Sequence, residues 1–174
     1  MVRAAFARLG VRKKKAPPHP MSAPRLILTE NCVDALRACL EPEIRKGHEG
    51  ISYLAGRTDG ATTLAVAAMR PEATTTWGSF RVGVPAMARI IRAAVDCGLQ
   101  VVGQVHTHPG DAFHSDGDDD GARIAYTGYV SLVLPDHGRR LPSFDEAALF
   151  MFRAPGGFVT IKLSQFTIIP ERLA

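Results

Sequence analysis

The sequence predicts an α+β domain, with a mixed and mostly antiparallel sheet flanked by helices. Three observations carry this. Residues 33–44 and 85–97 place apolar side chains at helical spacing, apolar runs of strand length fill much of the rest, and turn signals join several of those runs. The order is helix, strands, helix, strand, helix, strands, which suits one sheet covered by helices. The 174 residues suffice for one domain with a proper core, and no internal repeat or second domain is visible.

Each element has a local reason. Arg25–Thr29 reads as a short strand or the lead into a helix, with Thr29 or Asn31 as cap. Val33, Leu36, Leu40 and Ile44 form the apolar stripe of that helix. Pro42 is expected to kink it or start a new turn, and Gly47 to end it. Glu49–Gly56 and Thr62–Met69 are strand-like runs joined by Arg57-Thr58-Asp59-Gly60, a hairpin signal closed by Pro71. Residues 72–84 read as a loop with one or two short strands. Pro85–Cys97 is the clearest helix, with Met87, Ile90, Ile91, Ala94 and Val95 on its apolar face and Gly98 as its stop. Leu99–Val105 is a buried strand. A helix is expected over Asp119–Tyr126, a strand over Tyr129–Leu134, and a second hairpin from Ala147–Arg153 and Phe158–Leu163 around Ala154-Pro155-Gly156-Gly157.

The net charge of +4 is unevenly spread. Arg3, Arg8, Arg12, Lys13, Lys14 and Lys15 give residues 1–24 a charge of +6 with no acid, so the body carries −2. The tail reads as a basic, disordered N-terminal extension, with a transit peptide or a true start at Met21 as the other readings. A body of that charge is not a polyanion binder, and nucleic acid is not expected as a partner. No apolar run approaches the length of a membrane span, so no membrane partner is expected either. Cys32, Cys39 and Cys97 are odd in number and form no CxxC, which points to a reducing, cytoplasmic setting and leaves a cysteine nucleophile unsupported.

The chemistry concentrates in Gly103–Asp120. Side chains alternate along a strand, so His106 and His108 share one side while Thr107 points away. Two imidazoles and a nearby carboxylate can supply three ligands to zinc, whose fourth position stays open to water. Asp111, Asp116, Asp118, Asp119 and Asp120 compete for the third place. Ser115-x-x-Asp118 fits a helix start, which would hold Asp118 in the first turn facing the strand end, although the same pair reads equally well as a capping box. Asp116-x-Asp118-x-Asp120-Gly121 opens like a calcium loop, but the twelfth position is Thr127 where Glu is required. The residues thus point to a zinc hydrolase, which also needs a base to move the proton of water to the leaving group. HExxH is absent. Glu49 is the best candidate because it opens a strand. Glu30, Glu41, Glu43 and Glu146 sit in exposed-looking contexts.

Glu49 followed by Gly56, then His106-Thr107-His108-Pro109, then Ser115-x-x-Asp118, resembles the JAMM (MPN+, Mov34/PAD-1-like) metalloprotease motif over residues 25–165, and the domain would span 25–174. The resemblance implies that His106, His108 and Asp118 bind Zn2+, that Glu49 holds and deprotonates water, and that Ser115 hydrogen-bonds the oxyanion. The loop from His108 to Ser115 is one residue shorter than usual, which leaves Asp119 as an alternative ligand. The motif loops look most like compact bacterial members of ubiquitin-like conjugation operons, some of them anti-phage. The implied function is a zinc (iso)peptidase that cuts after the C-terminus of a ubiquitin-like protein, with E1-like and E2-like proteins as pathway partners. A protease acting on a sulfur-carrier protein is the alternative, and a non-catalytic scaffold of the same fold a third. His114, beside Ser115, is expected either to touch substrate or to be a solvated loop residue. Trp77 and Phe80 could line a peptide groove, with core packing the favoured reading. His48, His19 and His137 have no assigned role, the last two reading as loop residues.

Overall fold

The computed structural model describes residues 25–115, 124 and 126–171. The basic extension at 1–24 and nearly all of the helix expected over 119–126 lie outside the described residues. The chain runs β1 (Leu26–Thr29), α1 (Glu30–Lys46), β2 (Ile51–Thr58), β3 (Thr63–Met69), β4 (Ala73–Thr76), β5 (Ser79–Val82), α2 (Val84–Asp96), β6 (Gln100–Thr107), β7 (Val130–Leu134), β8 (Ala148–Arg153), β9 (Gly157–Ile161) and β10 (Phe166–Ile169). Short 3-10 turns at Asp136–Gly138 and Leu163–Gln165 complete it.

The main sheet has eight strands in the order β10-β1-β3-β2-β6-β7-β8-β9, while β4 and β5 form a separate hairpin. Antiparallel pairs join β3-β2, β2-β6, β7-β8 and β8-β9; parallel pairs join β10-β1, β1-β3 and β6-β7. The sheet is therefore mixed and mostly antiparallel, as the sequence predicts. Alternation along the strands builds two cores. Leu54, Val105 and Leu132 pack with Leu36 and Leu40 of α1, whereas Ile51, Tyr53 and Ala55 pack with Met87, Ile90 and Ala94 of α2. Full burial of a leucine such as Leu36 contributes about 1.5–3 kcal/mol.

Local chemistry sets the helix ends. The Thr29 hydroxyl accepts the Cys32 N–H at 3.1 Å, and Gly47 closes α1 in the left-handed conformation at φ 66°. No new helix starts at Pro42: α1 spans 17 residues with the proline inside it. Proline removes one hydrogen bond there, but buried Leu36, Leu40 and Glu43 on either side hold the turn in place. The apolar face of α2 is narrower than its periodicity suggests. Met87, Ile90 and Ala94 are buried, while Ile91 and Val95 are exposed, because the sheet reaches only one stripe of the helix. Strand β10, which joins the sheet edge parallel to β1, is too short to stand out in the sequence.

Candidate active site

Strand pairing brings together residues 57 positions apart. In the β2–β6 ladder Ile51 lies opposite His106. The ladder continues past the strand ends: Thr107 N–H donates to the Gly50 carbonyl at 3.0 Å, and Gly50 N–H donates to Thr107 Oγ1 at 2.8 Å. Glu49 therefore comes level with His108, and both line one cleft of about 490 Å³. Glu49, His106 and His108 are all buried. The two imidazoles share one face of β6, their ring centroids 5.1 Å apart. His108 is tied to β7 by its N–H, which donates to the Leu134 carbonyl at 2.9 Å.

The tip of the β4–β5 hairpin, Trp77–Phe80, lines one side of the cleft, and Pro109–Asp111, Phe113 and Ser115 line the other. The core role expected for Trp77 does not hold. Trp77 is 68% exposed because it caps a two-residue turn that projects from the sheet. Phe80 is half-buried and packs on His106 with ring centroids 5.5 Å apart. His114 is half-buried, 4.8 Å from the Phe150 ring and 4.7 Å from that of Phe158, with its own ring 6.4 Å from His106. It is not a solvated loop residue. Nor is His137: it is buried, its N–H donates to the His108 carbonyl at 2.7 Å, and its Nε2 lies 2.9 Å from the Trp77 carbonyl.

Glu43 was expected to be exposed and is buried. Its carboxylate accepts from Thr75 Oγ1 at 2.6 Å, Arg70 at 2.8 Å and Lys46 at 3.2 Å, with His48 Nδ1 3.9 Å away. Burial pushes its pKa up, but the Thr75, Lys46 and Arg70 donors outweigh burial and hold it below the ordinary glutamate value. The cluster ties α1 to β4, and the Glu49 N–H, which donates to the Thr76 carbonyl at 2.8 Å, adds a second tie. Because the folded pKa is the lower one, this stabilisation is present above the unfolded value and fades as pH falls through the folded one. Glu43→Gln should cost roughly 2–4 kcal/mol near pH 7. In pH-dependent thermal unfolding, the gap from wild type should close as the pH drops below about 4. Glu30 and Glu146 are exposed as expected, Glu30 accepting the Glu171 N–H and Glu146 pairing with Arg140, while Glu41 is half-buried and pairs with Arg45.

The cysteines take no part in the cleft. Burial, followed by Cys39, pushes the Cys32 thiol up to about 12, and burial also raises Cys39, while Cys97 is exposed. Asp111 is exposed at the cleft rim. Asp116, Asp118, Asp119 and Asp120 lie outside the described residues. Among the described residues no group of three or more His, Cys, Asp or Glu is gathered as a metal cluster. Those present nonetheless fit a zinc ion chemically: two buried imidazoles on one face supply borderline nitrogen donors, and the buried Glu49 lies level with His108 in the same cleft.

The fold and this cleft define a class. The family model for prokaryotic homologs of the JAB domain matches residues 29–143, from the cap of α1 to beyond β7, and the chain belongs to that JAB/MPN family. Among individual proteins, it is 30% identical over 131 residues to the probable metalloprotease y4jG of Sinorhizobium fredii, covering 73% of this chain and 81% of that one. Two solution structures share the fold. The protein DSY2949 of Desulfitobacterium hafniense aligns with a TM-score of 0.60 at 16% identity, over 85% of this chain and 94% of its own. A protein of Salinibacter ruber aligns with a TM-score of 0.54 at 20% identity, over 83% and 91%.

Proposed function

We propose that this chain is a zinc-dependent peptidase or isopeptidase of the JAMM type, which cuts after the C-terminus of a ubiquitin-like protein. The observation that carries the reading is the buried Glu49 carboxylate level with His108, in the same cleft and beside the His106–His108 pair. The family and the likeness to a probable metalloprotease support the peptidase class.

In this reading His106, His108 and Asp118 hold the metal, with Asp119 as the alternative to Asp118. Zinc so held supplies Lewis acidity, polarising a carbonyl and lowering the pKa of water. Glu49 takes the proton from the attacking water and returns it to the leaving amine. Burial of Glu49 beside two imidazoles keeps that proton on a short path. Ser115, half-buried on the cleft wall, donates its hydroxyl hydrogen to the oxyanion that develops on the substrate carbonyl. A ubiquitin-like tail is extended, and a cleft walled by Trp77 and Phe113 suits an extended chain. The pathway partners would be E1-like and E2-like proteins.

The test is incubation with fusions that carry a leader after a ubiquitin-like C-terminus, read by mass. Cleavage after the last ubiquitin-like residue, lost with a chelator and restored by zinc, is expected. Release of a group from a sulfur-carrier protein, with every ubiquitin-like fusion left intact, would overturn the substrate assignment.

A further inference from the structure

The β4–β5 hairpin forms one wall of the cleft but belongs to no larger sheet. A lone two-stranded hairpin is marginally stable in water, so ties outside the pair must set its position. Two of them hold the end of β4 next to the turn: the Thr75 hydroxyl on Glu43, and the Glu49 N–H on the Thr76 carbonyl. The third holds the turn itself, one residue further on, and carries Trp77. His137 Nε2 lies 2.9 Å from the Trp77 carbonyl, and since a carbonyl can only accept, the ring nitrogen is the donor. The two rings meet edge-on, centroids 6.2 Å apart.

His137 is built for this contact. It is 4% exposed and sits at φ 55°, directly after Asp136 at φ 53°. Two consecutive non-glycine residues in the left-handed region are uncommon and persist only where their surroundings hold them. The hold is visible: Asp136 N–H donates to the Gly110 carbonyl at 3.0 Å and His137 N–H to the His108 carbonyl at 2.7 Å. One residue thus grips the end of β6 with its backbone and the hairpin tip with its ring. We propose that His137 is a positioning residue that latches the hairpin over the cleft, so that the Trp77 wall is already in place when a substrate chain arrives. The substrate side of this inference rests on the peptidase reading; the latch itself does not.

Trp77 is the sole tryptophan of the chain, so its fluorescence reports the hairpin tip directly. His137→Gly removes the ring while supplying the residue best suited to the left-handed backbone, so the turn is not penalised. His137→Gln restores an N–H donor at similar reach. In the full-length protein, time-resolved anisotropy should show the amplitude of nanosecond Trp77 motion about doubled in His137→Gly and near wild type in His137→Gln. On a cleavable ubiquitin-like fusion, KM should rise about 3- to 10-fold in His137→Gly, the effect of one net hydrogen bond, with kcat within about twofold. Unchanged Trp77 motion in His137→Gly, or equal loosening in His137→Gln, would overturn the latch. So would a fall in kcat at constant KM. The anisotropy needs no substrate, so a failure to find peptidase activity leaves it decisive.

Discussion

Replacing Glu49 with Gln is expected to cut turnover on a ubiquitin-like fusion by about 10²- to 10⁴-fold, the usual contribution of a general base. Gln keeps the size and planarity of the side chain but cannot take a proton at neutral pH. The backbone around it does not depend on the carboxylate. Glu49 N–H is held by Thr76, and Gly50 exchanges hydrogen bonds with Thr107 on both its N–H and its carbonyl. The variant should therefore fold, melt close to wild type and keep its metal, while kcat collapses. Steady-state kinetics beside metal analysis of the same preparation separates the outcomes. Turnover near wild type would remove Glu49 from the chemistry. The contrast is Glu43→Gln, six residues earlier, which should lower the melting temperature through the Thr75–Arg70–Lys46 cluster.

Gly56→Ala is expected to destabilise the fold by about 3 kcal/mol or more, among the larger single-residue effects. The pairing of β2 with β3 shifts register between Ala55 and Gly56, which brings the Leu64 carbonyl against the Gly56 Cα. A Cβ there would overlap the Leu64 carbonyl oxygen, a backbone atom of the neighbouring strand that cannot rotate away. Strand β2 also pairs with β6, so the strain would reach the ladder that aligns Glu49 with His108. A fall in melting temperature of roughly 6–12 °C follows for a chain of this size. Gly78→Ala is the control, since nothing lies within 4 Å of its added Cβ, and it should melt close to wild type. Equal melting of Gly56→Ala and Gly78→Ala would contradict the packing account.

Much of the site was legible because it is local. The strand period of two put His106 and His108 on one face, and chemistry alone asked for a carboxylate base. The residues walling and bracing the cleft were not legible, because each is defined by a partner far along the chain. Trp77 reads as an ordinary core aromatic until β4 and β5 are seen to leave the main sheet. His137 sits in Pro-Asp-His-Gly, a sequence like any other turn, and its partners lie at Trp77 and His108. Glu43 looks like one more polar helical residue, and its burial follows from the hairpin crossing over it. The same limit explains the misread face of α2. Periodicity marks the apolar stripe, but only the neighbouring sheet decides that Ile90 is covered and Ile91 is not. Pro42 shows the converse, where tertiary packing carries a helix through a residue that local propensity would end it on.

Metal analysis of the purified protein, beside a His106→Ala/His108→Ala variant, tests the central claim most directly. About one zinc per chain is predicted for the wild type, as for a single catalytic site. Close to none is predicted for the variant, which should remain folded, because zinc at a catalytic site is held by the fold rather than required to form it. Wild-type protein that takes up no zinc, or a variant that retains as much as the wild type, would contradict the account.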